Sequence, residues 1–125
     1  MMRPAQTIIR PVDRDGHVIR DDEQIEFLTF GDVGLLCSGR RRSDVPQITI
    51  QIAQHTDGLF MWAIDAMVGT GYRGYRVGSK WGKFAPTRQD AIAAACTEIE
   101  AQGPDRNVID WLDSLCAPQQ MELFA

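Results

Sequence analysis

The sequence has few of the residues that metal centres and disulfide frameworks require. It contains two histidines and three cysteines in 125 residues, and Cys37, Cys96 and Cys116 lie far apart. Zinc ligands usually come in closely spaced cysteine or histidine pairs, and the sequence has no such pair. An odd number of scattered cysteines is typical of thiols in a reducing compartment. We therefore expect no metal, no cofactor and no disulfide framework.

Long hydrophobic runs are also absent. No segment approaches the roughly 20 apolar residues that a membrane-spanning helix needs. No apolar stretch of signal-peptide length follows Met1. The sequence therefore predicts a cytoplasmic protein that makes no contact with a membrane.

Catalytic motifs are missing as well. Ser38 and Ser43 have no nucleophile elbow around them, and neither histidine lies in a catalytic motif. The glycines at 69 and 71 are not followed by the residues of a phosphate-binding loop. These observations favour a protein that binds a partner over an enzyme.

The composition is that of a folded chain, with 44% hydrophobic and 24% charged residues. A length of 125 residues corresponds to one domain. We divide the chain into an N-terminal arm and irregular segment (1–45), a core (46–117) and a flexible C-terminal peptide (118–125).

Two short parts of the N-terminal arm have sequence patterns that indicate secondary structure. Residues 7–9 and 17–19 each contain two apolar side chains and flank a turn signal at Asp15-Gly16, which is compatible with a loose hairpin. Residues 21–30 fit a short helix or a strand, because their apolar positions follow neither period. The sequence leaves these alternatives open.

The sequence pattern of residues 47–84 predicts an antiparallel sheet of about three to four strands. Residues 47–54 alternate strictly, with Ile48, Ile50 and Ile52 on one face, as in a half-buried strand. A turn at Asp57-Gly58 returns the chain into a second apolar strand up to Val68. Short strands at 72–77 and 80–84 then complete the sheet.

Two helices follow, so that the fold class is α+β. The first is predicted over 87–102, with Thr87 as its cap, Asp90 three residues later, and Gly103-Pro104 as its end. The second is predicted over 105–116, starting at Asp105 or Asn107. The helices carry apolar stripes that would pack on the sheet, namely Ile92, Ala95, Cys96 and Ile99 in the first and Val108, Leu112, Leu115 and Cys116 in the second.

The charge is distributed unevenly, although the net charge is -4. Residues 66–89 contain five basic side chains and no acidic one, and residues 72–84 also carry aromatic rings. We call residues 72–84 the basic aromatic segment. Interleaved rings and cations are typical of surfaces that bind single-stranded nucleic acid. The candidate DNA- or RNA-binding residues are Arg73, Tyr75, Arg76, Lys80, Trp81 and Lys83.

A structural explanation of the same segment is also open. Aromatic residues are common in strands, and their basic neighbours would then occupy the solvent face. A strand meander followed by a helix resembles a double-stranded-RNA-binding domain, but that family's basic motif at the start of the last helix is replaced here by Thr87-Arg88-Gln89-Asp90. The run Arg40-Arg41-Arg42 is read as a solvated turn or as a phosphate-binding loop.

The C-terminal peptide contains Gln120-Met121-Glu122-Leu123-Phe124. This pattern resembles the pentapeptide with which polymerases and repair proteins bind the bacterial DNA sliding clamp. The resemblance implies that Gln120 is the polar anchor, that Leu123 and Phe124 enter an apolar pocket, and that Met121 covers the groove. The commonest pattern of the family has Leu second and often Ser or Asp third, so Met121 and Glu122 depart from it.

These features lead to a main hypothesis and two alternatives. In the main one, the chain is a non-enzymatic interaction protein, suited to a phage or mobile genetic element, whose C-terminal peptide docks on the bacterial sliding clamp. In the first alternative, it is a small nucleic-acid-binding domain that uses the basic aromatic segment. In the second, it inhibits an enzyme through the acidic surface of its C-terminal helices.

Overall fold

Six strands and two α-helices make up the part of the chain that the computed structural model describes, residues 6–10, 15–31, 46–68 and 71–116. The predicted α+β class, with an antiparallel sheet followed by two helices, is confirmed. In chain order the elements are β1 (Ile8–Ile9), β2 (Glu26–Phe30), β3 (Ile48–Gln54), β4 (Phe60–Val68), β5 (Gly71–Gly74), β6 (Lys83–Ala85), α1 (Arg88–Glu100) and α2 (Arg106–Leu115).

The long strand β4 is the centre of the sheet. It pairs with β3 along one side, and β2 continues the sheet beyond β3. Along its other side β4 pairs with β5 at one end and with β6 at the other, and β1 lies beyond β6. The strands expected over 72–77 and 80–84 are shorter in the structure, since β5 ends at Gly74 and a 3-10 turn at Ser79–Trp81 delays the start of β6 to Lys83.

One face of the sheet packs against the helices. The alternation in β3 places Ile48, Ile50 and Ile52 on this face, as predicted, and β4 contributes Trp62 and Ile64. In the antiparallel register Ile50 is opposite Ile64, and Ile52 is opposite Trp62. Each such side chain contributes about 1.5–3 kcal/mol on full burial. This face forms the main core.

The other face of β3 is more buried than the alternation predicts. Gln51 is 7% exposed and Ala53 is 3% exposed, because Ile25 and Val77 cover them from outside the sheet. The Gln51 side-chain oxygen accepts a hydrogen bond from the Val77 amide at 3.1 Å. The middle of β3 is therefore enclosed on both faces, and the buried side-chain oxygen of Gln51 has a hydrogen-bond donor in the backbone of Val77.

The N-terminal residues join the sheet in a way that the sequence did not reveal. The loose hairpin is a wrong expectation, because β1 pairs with β6 and Val18 bridges Gly78. Of the two alternatives for residues 21–30, the strand forms as β2, after a single 3-10 turn at Asp22–Gln24. Two sheet strands thus come from the region that the sequence assigned to an arm.

The helices begin at the predicted caps. The Thr87 hydroxyl accepts a hydrogen bond from the Asp90 amide at 3.1 Å, and the Asp105 carboxylate accepts one from the Val108 amide at 3.1 Å. Of the two predicted starts for the second helix, Asp105 is the cap. Within the described ranges, neither helix has the length and apolar character needed to cross a membrane.

Candidate functional site

The basic aromatic segment folds around one carboxylate, that of Glu98 on α1. Glu98 accepts hydrogen bonds from Lys83 Nζ at 2.5 Å, from Tyr75 OH at 2.8 Å and from Trp62 Nε1 at 2.9 Å. Arg73 Nε lies 3.6 Å from the second carboxylate oxygen. We call these five residues the Glu98 cluster.

The Glu98 cluster keeps its carboxylate ionised. Burial by itself would raise the pKa of Glu98, but the hydrogen bonds from Lys83, Trp62 and Tyr75, with the positive charge of Lys83, outweigh it and lower the pKa below its ordinary value. Burial, together with the neighbouring negative charge, raises the pKa of Tyr75. Its phenol therefore stays protonated and serves as a donor.

Arg76 faces away from this cluster and ties the segment to the N-terminal residues. Its guanidinium donates to the carbonyl oxygen of Ile19 at 2.5 Å and forms an ion pair with Asp22. The indole of Trp81 donates to the Arg76 carbonyl oxygen at 2.6 Å. Two of the candidate nucleic-acid contacts, Arg76 and Trp81, thus make contacts within the chain.

Tyr75 connects the Glu98 cluster to Trp81. The Tyr75 and Trp81 rings meet edge to face, with centroids 5.3 Å apart, and Lys80 Nζ lies 5.1 Å from the Trp81 ring centroid. Tyr72, at 59% exposure, and the side chain of Arg73, also at 59%, are the most accessible of these groups. The structure therefore brings the predicted residues together, but most of their polar atoms already have partners.

Sequence reasoning missed Glu98, although helical periodicity contained a signal. Glu98 lies four residues after Ala94 and seven after Ala91, which places it on the face where both alanines are buried. A carboxylate on a face lined by small residues needs donors from the opposing sheet. Trp62, Tyr75 and Lys83 supply these hydrogen-bond donors to Glu98.

A separate cleft of about 520 Å³ brings together the two histidines of the chain. His17 and His55 line it, with Ile19 and Met61 as apolar groups and four neutral polar side chains, those of Gln24, Gln54, Thr56 and Ser79. These residues come from segments far apart in sequence, so their proximity could not be read from local patterns. The cleft therefore presents both hydrogen-bonding and apolar groups at its surface.

His55 is held in place beside this cleft. Its Nδ1 atom lies 3.1 Å from a carboxylate oxygen of Asp57, and its ring meets Phe84 edge to face at 5.4 Å. The hydrogen bond from Arg10, at 2.7 Å, is the main cause that lowers the pKa of Asp57 to about 2. The hydroxyl of Ser79 accepts from the amide of His17 at 3.2 Å.

The pentapeptide that resembles clamp-binding peptides, residues 120–124, and the arginines at 40–42 lie outside the described residues. Among those that are described, no group of histidine, cysteine and carboxylate side chains could hold a metal ion. The chain matches no family model, no curated protein and no solved structure.

Proposed function

We propose that the chain is a non-enzymatic interaction protein whose C-terminal peptide docks on the bacterial DNA sliding clamp. The observation that carries the proposal is the spacing of Gln120, Leu123 and Phe124, which matches the clamp-binding pattern. Burial of Leu123 and Phe124 in an apolar pocket would contribute about 1.5–3 kcal/mol each. Gln120 would add hydrogen bonds that orient the peptide.

The position of the peptide relative to α2 supports this proposal. The helix ends at Leu115 with Cys116 as its cap, and Pro118 follows two residues later. Proline lacks the amide hydrogen that would continue a helix and restricts the residue before it to extended conformations. Continuation of α2 into the pattern that starts at Gln120 is therefore disfavoured, which suits a peptide that docks on another protein.

Docking of this kind would place the α+β unit at sites of DNA synthesis. A protein of a phage or mobile genetic element could in this way recruit or disturb the replication machinery of its host. The α+β unit would then act on the clamp-bound complex by occupying space or by making further contacts. This role rests on the clamp proposal.

A competition experiment tests the proposal. The full chain is bound to an immobilised bacterial sliding clamp, and a synthetic peptide of residues 117–125 is added. We expect the peptide to displace the chain, and a matched peptide with Leu123→Ala and Phe124→Ala to leave it bound. Displacement by neither peptide, or by both equally, contradicts docking through this motif.

Nucleic-acid binding is a second candidate because Tyr72 and Arg73, at the start of the basic aromatic segment, are exposed. Rings and cations at a surface can stack on bases and contact phosphates. Lys83 and Arg76 are poor choices for mutation because both hold the fold together through Glu98 and Asp22.

Neutralising Arg73 and Lys80 tests this candidate and keeps the contacts of Lys83 and Arg76, at the loss of only the longer 3.6 Å contact between Arg73 and Glu98. If the segment binds single-stranded DNA, Arg73→Gln with Lys80→Gln should weaken binding and reduce its salt dependence by about one unit of slope per residue. Arg106→Gln, at a side chain 83% exposed on α2, is the matched control. Equal binding by all three proteins excludes a role for the segment.

A further inference from the structure

Two cysteines that the proposed function does not use meet between the helices. Cys96 lies inside α1 and is fully buried, whereas Cys116 caps α2 and is half-buried. Their sulfur atoms are 3.5 Å apart. The Cys96 thiol also points to the Leu112 carbonyl oxygen at 4.0 Å. Residues from two helices thus place two thiols in contact.

We propose that Cys96 and Cys116 are a redox modification site, which a low-molecular-weight disulfide converts into a disulfide bond between α1 and the end of α2. The bond requires the sulfur atoms to approach from 3.5 Å to about 2.05 Å. Cys96 is fixed in the middle of a packed helix. Cys116 lies where the chain leaves α2, so rotation of its side chain, with a small backbone adjustment, closes the distance.

The two cysteines react in sequence because they differ in burial. The more accessible Cys116, as a thiolate, attacks one sulfur of the small disulfide, whose S–S bond breaks and releases one thiolate. The Cys96 sulfur then attacks that of Cys116 and expels the second small thiolate, which takes up the proton that the Cys96 thiol loses. The two cysteines lose two electrons in total, and the small disulfide gains them as two thiols.

The new bond would stabilise the folded chain. It closes a loop between residues 20 positions apart, which removes conformational freedom from the unfolded state. For a chain of this size we expect the melting temperature to rise by about 5–10 °C. The bond would also fix the end of α2 from which the C-terminal peptide continues.

Peptide mapping tests the site directly. The folded full chain is incubated with oxidised glutathione at about pH 8, where thiolates form, and is then digested with trypsin without reductant. Cleavage after Arg88 and Arg106 separates the cysteines into peptides 89–106 and 107–125, while Cys37 falls in peptide 21–40. We expect peptides 89–106 and 107–125 to be joined, and to separate on addition of dithiothreitol.

Three variants sharpen the result. Cys37→Ser should form the same bond, whereas Cys37→Ser combined with Cys96→Ser or with Cys116→Ser should not form it or gain thermal stability. The wild-type chain is mapped in parallel, so that a folding defect in a variant does not decide the outcome. Separate peptides, glutathione held on Cys116 alone, a bond to peptide 21–40, or an unchanged or lower melting temperature of the oxidised protein would overturn the proposal.

Discussion

At the scale of single residues, Glu98 joins α1 to the sheet. Its carboxylate is 20% exposed and lies 2.5 Å from Lys83 Nζ, which is 25% exposed. Trp62 and Tyr75 donate to the same carboxylate. Because every polar atom in this group is partly removed from water, loss of the acceptor costs more than loss of a surface ion pair.

We predict that Glu98→Ala lowers the free energy of unfolding by about 2–3 kcal/mol, because it leaves a half-buried cation and two donors without their acceptor. Urea denaturation followed by tryptophan fluorescence measures this change. Asp110→Ala is the control, since Asp110 pairs with Arg106 on the exposed face of α2. It should cost less than about 0.5 kcal/mol. Equal effects of the two variants would show that Glu98 is an ordinary surface residue.

The pH dependence of stability should also report on Glu98. Its pKa is lower in the folded protein than the ordinary value of 4.5, so between the two values the unfolded chain binds a proton that the folded chain does not. The contribution of Glu98 is therefore complete above about pH 4.5 and is lost as the pH falls through the folded pKa. We expect the stability difference between wild type and Glu98→Gln to narrow from pH 7 to about pH 3.

Comparison with Glu98→Gln isolates this residue from other carboxylates. Hydrogen bonds from Arg88 and Arg10 also lower the pKa values of Glu26 and Asp57, but those residues are the same in both proteins and their effects cancel. A stability difference that stays constant across this pH range would contradict the ionised state of Glu98.

Whether a contact between two residues can be predicted from the sequence depends on how far apart they lie along the chain. The Thr87 cap was predicted because its partner Asp90 is three residues away. The Glu98 cluster was not, because its hydrogen bonds join residues 15 to 36 positions apart. The composition of the basic aromatic segment shows its cations and rings but not the carboxylate that they contact, because that contact depends on how α1 lies on the sheet.

At the scale of elements, the covering segment 17–25 depends on one close approach between backbones. Val18 bridges Gly78, and Ile19 donates its amide hydrogen to the Val77 carbonyl oxygen at 2.8 Å. A Cβ atom at Gly78 would lie 2.7 Å from Val18 Cα and would also collide with the His17 carbonyl oxygen. Glycine at 78 therefore lets the segment close over the second face of the sheet.

We predict that Gly78→Ala destabilises the protein by about 1–3 kcal/mol, because the backbone of residues 17–18 must move away. Gly71→Ala is the matched control, since a Cβ there meets nothing within 4 Å in the described part of the chain. That variant should change the free energy of unfolding by less than about 0.5 kcal/mol. Thermal unfolding of the two variants beside wild type makes the comparison, and a neutral Gly78→Ala would contradict the packing of this segment.

The elements themselves were predictable where their patterns are regular. The strict alternation of residues 47–54 and the Asp57-Gly58 turn specify the β3–β4 hairpin, and capping signals specify both helices. The strands β1 and β2 are short and irregular in sequence, and each forms by pairing with a strand distant along the chain. Pairing of this kind has no local signature.

At the scale of the whole molecule, the described residues form one α+β unit, and the sequence continues beyond α2 into the peptide that we propose as the clamp-binding segment. The helices cover one face of the sheet, and residues 17–25 and 75–79 cover part of the other face, over β3, β4 and β6, while Phe27 on β2 is 41% exposed. The most distinctive partner signal is the pentapeptide beyond α2. We therefore propose that this peptide, and not the basic aromatic segment, selects the partner.

Calorimetric titration of the full chain into a purified bacterial sliding clamp tests this claim most directly. The variant with Gln120, Leu123 and Phe124 all changed to Ala is titrated in parallel, with Gln119→Ala as the control outside the pattern. We predict micromolar binding by wild type and Gln119→Ala, and none by the triple variant. Absence of binding by the folded wild-type chain, or equal binding by the triple variant, would contradict docking through the C-terminal peptide.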